Sequence, residues 1–313
     1  MYLQITRSIL MIRPVKFRMN EQTTVNNYYQ KIIHDSNHEI INQKAKEEFD
    51  LLVKKLKDAT INVLIIDDSE EFDTPDSIFP NNWISFHENS AVALYPMFAE
   101  NRRLERKLSV LKSIENHGFK INHVKDYTAK ELKSIFLEGT GSVVIDRFNM
   151  VAYCALSPRS NEDLFLQFCE DFDYSPIIFS AFQTVNRKRK RIYHTNVMMC
   201  IGDEFAIICL DSIDNTNERK NVLRCLIECN KEVICISEQQ VKNFAGNMIQ
   251  LIGHNNKKYL VMSQSAYDSL SLFQIKKLQR YCIIISSSLD TIEACGGGSA
   301  RCMIAEIFLP KAN

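Results

Sequence analysis

Short apolar runs return along this chain in pairs, and each pair is followed by an amphipathic stretch and then one more apolar run. Brief apolar runs bounded by polar turns read as strands, whereas apolar residues at i, i+3, i+4 and i+7 read as a helix. The pattern predicts a strand over 8–14, broken by Pro14, and a helix over 22–58 with Phe49, Leu52, Val53 and Leu56 on one face. A buried strand over 61–66 follows. Next, 83–86 pairs with 91–95 across Glu88-Asn89-Ser90, and a helix carrying Leu104, Leu108, Leu111 and Ile114 stops at Gly118, glycine being common just past a helix end. The same order is predicted three more times. Strand pairs 142–145 with 150–156, 197–201 with 205–210 and 248–252 with 259–263 are each followed by a helix and then by strands 176–179, 233–236 and 282–286. A last apolar run, 302–309, is placed to pair with the N-terminal strand.

A polar residue recurs at one phase of this pattern. Asn82, Glu138, His194, Asn247 and Cys302 stand 56, 56, 53 and 55 residues apart, each at or just before the first strand of a unit. A fixed period of this length is the mark of a repeat architecture. It predicts an α/β fold of ββαβ units about a pseudo-fivefold axis, a five-bladed propeller in a single domain over 1–313, with one side chain per unit directed into a shared centre. No G-x-G-x-x-G follows a strand, so a doubly wound dinucleotide fold lacks its main support.

Composition narrows the classes. The formal charge is +0 with 24% charged and 45% hydrophobic residues, which gives no bias toward nucleic acid and ample material for a core. No stretch of eighteen apolar residues suggests a membrane span. The N-terminus lacks the apolar core and cleavage pattern of a signal peptide. The ten cysteines lie mostly in apolar runs or on helix faces without C-x-x-C pairs, so they are expected to be reduced thiols in a cytoplasmic protein. Cys225 and Cys229 lack the further ligands a metal site needs. The basic run 187–191 is placed in a loop ahead of His194, as a solvated turn.

Three of the five in-phase residues carry chemistry. Cys302 directly follows Gly296-Gly297-Gly298-Ser299-Ala300-Arg301, a loop whose glycines permit close approach of a ligand. His194 supplies a base, and Glu138 lies among glycines in Leu137-Glu138-Gly139-Thr140-Gly141. A cysteine paired with histidine is an activated nucleophile.

At these motifs the chain resembles the pentein superfamily of guanidino- and ureido-modifying enzymes, and within its amidinotransferase-like branch it is most similar to citrulline utilisation hydrolases. The matching stretches span nearly the whole chain: Ile12-Arg13-Pro14 with Asn20-Glu21-Gln22, Thr74-Pro75-Asp76-Ser77, Asn101-Arg102-Arg103-Leu104-Glu105, Ser157-Pro158-Arg159, His194 to Met199, Ala245-Gly246-Asn247 and the Gly-Gly-Gly-Ser-Ala-Arg-Cys end. The resemblance implies Cys302 as nucleophile, His194 as general acid and base, and Glu138 as the carboxylate holding a substrate nitrogen. It implies Asp76 as a substrate contact, and Arg102 (with Arg103 able to replace it) and Arg159 as the grip on the amino-acid end. No metal or organic cofactor is implied. The partner is a small amino-acid substrate, with no nucleic acid and no membrane, and a homo-oligomer is compatible.

Two departures bear on the substrate. Many relatives carry a second aspartate where this chain has Asn82, and arginine deiminases carry another where it has Asn196. An amide both donates and accepts, whereas an ionised carboxylate only accepts, so the exchanges favour a neutral ureido group over a guanidinium. The expected reaction is hydrolysis of citrulline or a close analogue to ornithine, ammonia and carbon dioxide. Arginine-type hydrolysis, amidino transfer and a non-catalytic arginine or citrulline sensor are the alternatives.

Overall fold

The computed structural model describes residues 3–31 and 37–312. Among these, the strands form five three-stranded sheets and one two-stranded hairpin. Each of the sheets has the same make-up: two antiparallel strands, then a third strand parallel to the second. Ile84–Phe86, Ala91–Leu94 and His123–Asp126 form one sheet, and Val143–Asp146, Val151–Ala155 and Ser175–Phe179 another. Met199–Ile201, Phe205–Ile208 and Glu232–Cys235 make the next, followed by Ile249–Ile252, Lys258–Ser263 and Ile283–Ser287. The last joins the two ends of the chain. Ala305–Ile307 pairs antiparallel with Ser8–Arg13, which runs parallel to Asn62–Asp67.

First strands of different sheets lie side by side: Ala305–Ile307 against Ile84–Phe86, Val143–Asp146 against Met199–Ile201, and Met199–Ile201 against Ile249–Ile252. These strands are buried, whereas third strands such as His123–Asp126 are largely exposed. Burial therefore increases toward the strands that follow the in-phase polar residues, and those residues are carried inward with them. Helices cover the outer faces; His38–Asp58 alone buries Phe49, Leu52 and Leu56, each worth about 1.5–3 kcal/mol.

Three expectations are corrected. The helix predicted over 22–58 begins at His38, capped by the Asn37 side chain on Glu39 N; residues 32–36 lie outside the described residues. Over 20–31 the side chains of Asn20, Thr23, Thr24 and Asn27 bond to nearby main chain, which competes with helix formation. The helix predicted through Leu104 and Leu108 is split into Glu100–Arg103 and Leu108–Asn116. The break leaves Leu104 and Leu108 exposed and turns Val110 and Ile114 inward. The basic run is not a loop: Lys188–Arg191 pairs with Phe182–Val185. Asn186 and Arg187, both at positive φ, form the tight turn whose twist suits a hairpin. Its four exposed residues give no alternation by which a strand is recognised.

Candidate active site

Each in-phase residue sits in the tight turn before a first strand. Asn82 ends the 3-10 turn Pro80–Asn82, Glu138 precedes the helical turn Gly139–Ser142, and His194 precedes the 3-10 turn Thr195–Val197. All five side chains are buried, and contacts link four of them in two groups, while Asn82 bonds Arg102.

Glu138 and His194 form the first group. Glu138 Oε2 lies 2.7 Å from His194 Nε2, and Glu138 Oε1 accepts from Phe98 N at 2.9 Å. Arg159 Nη1 also donates to Oε2, at 3.4 Å. Burial pushes Glu138 up, but the charge of Arg159, the hydrogen bond from His194 and the charge of Arg102 together hold it well below the usual carboxylate range. Burial brings His194 down to about 4 despite Glu138, so the imidazole is neutral near pH 7. Gly141 gives this pair its room: a Cβ there would lie 2.3 Å from Asn82 Nδ2 and 2.8 Å from His194 Nδ1. Glu138 was expected to hold a substrate nitrogen. In this structure both its oxygens accept from the protein, Oε1 from Phe98 N and Oε2 from Arg159, with His194 Nε2 beside Oε2.

The second group surrounds the sulfur. Asn247 Nδ2 donates to Cys302 Sγ at 3.2 Å, and Asn196 Nδ2 stands 3.7 Å from it. Cys302 closes a turn with its N–H on Ser299 O at 3.0 Å, and Ser299 Oγ is tied to Glu293 at 2.6 Å. Burial pushes the thiol up, opposed by the Ser299 main chain, Asn247, Arg301 and Asn196. Asn196, expected to face a ureido group, lies beside the Cys302 sulfur.

Cys302, His194, Asn82, Asp76, Arg102 and Arg159 line one narrow cavity of about 10 Å³, room for a single water. Segment 20–31 covers it. Asp76 Oδ2 accepts from Asn20 Nδ2 at 2.8 Å, while its Oδ1 is buried without a partner; burial pushes this carboxyl up, with Arg102, Asn20 and Arg159 opposing. Arg159 donates to Asn26 Oδ1 through Nε and Nη2, at 2.9 and 2.5 Å, and to Thr23 O at 3.1 Å. Asn27 Nδ2 reaches Gly296 O at 3.2 Å. Gly297 has φ +63°, and a Cβ there would meet Asn27 Nδ2 at 2.5 Å, so only glycine lets the segment seat here.

Arg102 is engaged differently from the expected grip on an amino-acid end. Its Nε and Nη2 clasp Glu105 at 2.9 and 3.0 Å, Nη2 also reaches Phe79 O at 3.2 Å, and Nη1 donates to Asn82 Oδ1 at 2.8 Å. Burial pushes Glu105 up to about 7 against the pull of Arg102. Arg103 does not replace it in the cavity, since its guanidinium bonds Met97 O and Phe98 O. A guanidinium only donates, so Arg102 fixes the orientation of the Asn82 amide. Asn82 Nδ2 is left as a buried donor without a partner.

The buried thiol, the imidazole paired with a carboxylate, and sheets that repeat one ββαβ plan accord with the pentein superfamily, and the family model makes the chain homologous to hydrolases of guanidino C–N bonds. The chain belongs to the eukaryotic N,N-dimethylarginine dimethylhydrolase family, whose model matches residues 13–309. No curated protein matches it in sequence. Among solved structures it is similar to ArgZ, an arginine dihydrolase from the ornithine–ammonia cycle in cyanobacteria, with TM-score 0.74 and 19% identity over 97% of this chain. The chain spans 41% of the length of that protein. The N-terminal domain of ArgZ, covalently bound to a reaction intermediate, gives TM-score 0.71 and 19% identity over 97% of this chain and 99% of the domain. A dimethylarginine dimethylaminohydrolase adduct with S-methyl-L-thiocitrulline gives 0.64 and 13% over 97% of this chain and all of that one (100%). At these identities the likeness is one of fold.

Asn247, Glu105, Asn26 and Gly141 received no site role from the sequence. Asn247 was marked by its phase, whereas Glu105 stood only at the end of the stretch Asn101-Arg102-Arg103-Leu104-Glu105. Asn26 carried no signal. No group of three or more His, Cys, Asp or Glu placed to hold a metal occurs among the described residues, nor is any helix there long and apolar enough to cross a membrane.

Proposed function

We propose that this chain hydrolyses the ureido C–N bond of citrulline or a close analogue, giving ornithine, ammonia and carbon dioxide. The observation that carries the reading is the Asn82 amide. Its oxygen is occupied by Arg102, so it offers the cavity an N–H donor and no acceptor. A guanidinium carries only N–H groups and would face that donor unmatched; a ureido oxygen would accept from it. An unmatched buried pair costs about 1–3 kcal/mol.

The steps follow from the atoms available. His194 Nδ1 takes the Cys302 proton, and the sulfur attacks the ureido carbon while Asn82 Nδ2 donates to the oxygen as it gains charge. The imidazolium returns the proton to the departing nitrogen, and ammonia leaves a thiocarbamate on Cys302. Water, deprotonated by His194, adds to that carbon and expels the thiolate. The carbamate so formed loses carbon dioxide to give ornithine. Asp76 Oδ1 serves as acceptor for a substrate N–H, and Arg159 holds the α-carboxylate once released from Asn26. The covalent bond in the ArgZ domain supports such a route.

The same reading takes the five sheets as blades of a pentein propeller forming a single catalytic domain. The lateral contacts between first strands support closure. Ten free thiols fit a cytoplasmic setting. A guanidino hydrolase is the second reading, favoured by the Asp76 carboxylate oxygen that lacks a partner. Ammonia and ornithine release by purified protein, measured across citrulline, arginine, methylated arginines and succinylarginine, separates the two. Turnover of arginine with none of citrulline would sink the ureido reading.

A further inference from the structure

Asn247 is bound more tightly into the nucleophile's surroundings than any role assigned so far requires. Gly246 presses against the neighbouring turn, where a Cβ would lie 2.3 Å from Val197 O, and this brings Asn247 between the Asn196 and Cys302 turns. Its Oδ1 accepts from Arg301 N at 3.1 Å and from Cys302 N at 3.4 Å. Main-chain N–H groups only donate, so the orientation of this amide is decided as well. Nδ2 is left with two hydrogens, one on Asn196 O at 3.0 Å and one on Cys302 Sγ at 3.2 Å.

We propose that Asn247 is a catalytic residue: it fixes the Cys302 sulfur and stabilises it as thiolate by N–H···S donation. The inference rests on the covalent reading above. Among the described residues, Asn247 and Asn196 provide the side-chain hydrogen bonds to this sulfur, and neither is a cation. A guanidinium substrate would bring positive charge to the thiol, but a ureido group brings none. Alongside the charge of Arg301 and of the imidazolium formed when His194 takes the proton, the thiolate is met at hydrogen-bond distance by oriented dipoles, and a donor held at both ends needs no reorganisation as the charge appears.

A purely structural role for Asn247 would lie in its Oδ1, which pins the Cys302 turn. Asn247→Asp keeps that acceptor and replaces the donor with a second acidic group against the sulfur. Whichever of the two ionises first opposes the other, so thiolate formation moves to higher pH. Asn247→Ala removes both ends without adding charge. The experiment is the rate of iodoacetamide alkylation of the Cys302 peptide between pH 6 and 10, read by mass spectrometry. Exposed Cys235 in the same sample corrects for reagent, and circular dichroism checks folding. The expected result is a midpoint at least one pH unit higher in N247D, with alkylation at pH 7.5 about tenfold slower, and a smaller upward shift in N247A. A folded N247D with the wild-type midpoint overturns the proposal, as does an unshifted N247A should N247D fail to fold. Alkylation needs no substrate, so the two readings fail separately. A shifted midpoint in a protein inert toward all ureido and guanidino compounds keeps Asn247 and removes the function, whereas citrulline turnover with an unshifted midpoint does the reverse.

Discussion

Glu138 Oε2 lies 2.7 Å from His194 Nε2, and this contact decides which imidazole nitrogen is free to act as base in the proposed reaction. A carboxylate only accepts, so Nε2 carries the proton and Nδ1 keeps its lone pair toward Asn82 and Gly141. Glu138→Gln would set an amide N–H against either Nε2–H or Phe98 N–H, weakening the hold on the ring and the imidazolium. The expected outcome is a fall in kcat of about 10²–10³-fold, on the order of 3–4 kcal/mol of transition-state stabilisation, with KM within about threefold. Steady-state kinetics on the best substrate checks this; an unchanged kcat would mean the pair is only structural.

Much of this site was legible in the chain because its repeat is long and its polar residues keep phase. Asn82, Glu138, His194, Asn247 and Cys302 each precede a buried first strand, so both periodicities, of apolar runs and of polar punctuation, pointed to one place. What the chain did not reveal is how each group is spent. Glu138 looked free to hold substrate, but the main-chain N–H of Phe98, forty residues away, takes one of its oxygens. The amide of Asn82 has no preferred direction until Arg102 is folded against it. Residues 22–31 fall within the stretch 22–58 that reads as helical, yet side chains over 20–31 bond locally and Asn26 docks on an arginine 133 residues distant. Such partnerships are tertiary, and residue types at a spacing do not encode them.

Acid should destabilise the protein through two buried histidines. His194 is held near 4 by burial, and His87 lies well below its ordinary value for the same reason, with Arg147 and His123 adding to it. Both bind a proton more readily when unfolded, so their contribution is complete above about pH 6.5 and is lost as pH falls, for His194 between about 6.5 and 4. Each adds a slope of up to about 1.4 kcal/mol per pH unit in that window. His194→Asn should remove one proton from this slope, and urea unfolding at pH 7, 6 and 5 measures it. An unaltered slope would show that His194 does not titrate between the two states.

Segment 20–31 must move for any amino acid to reach Cys302, since the cavity of about 10 Å³ holds no more than a water. In the closed site Asn26 Oδ1 takes the two guanidinium donors that would otherwise grip a carboxylate. Asn26→Ala should therefore lower KM by about five- to thirtyfold, one hydrogen-bonded competitor to a charged group being worth on the order of 1–2 kcal/mol, and leave kcat within about twofold. Hydrogen exchange over 20–31 should slow when ornithine is added. A raised KM in the variant would mean that Asn26 builds the site rather than closing it.

Asn82→Asp tests whether the site reads substrate charge. The aspartate keeps one oxygen on Arg102 and turns the other into the cavity where Nδ2 stood, replacing a donor by an anionic acceptor. Citrulline then loses a hydrogen bond to its ureido oxygen and meets a second carboxylate besides Asp76, whereas arginine gains a partner for its N–H groups. The loss for citrulline should be on the order of 2–4 kcal/mol of transition-state binding, roughly thirty- to a thousandfold in kcat/KM, with the arginine value rising. Asn196→Asp is expected to behave otherwise, because Asn196 lies beside the Cys302 sulfur. Its carboxylate would oppose the thiolate and depress turnover of both compounds. The ratio of kcat/KM for citrulline to that for arginine, in wild type and both variants, decides the matter: an Asn82→Asp ratio equal to wild type would mean that the oriented amide does not select the substrate, and would move the guanidino reading ahead of the ureido one.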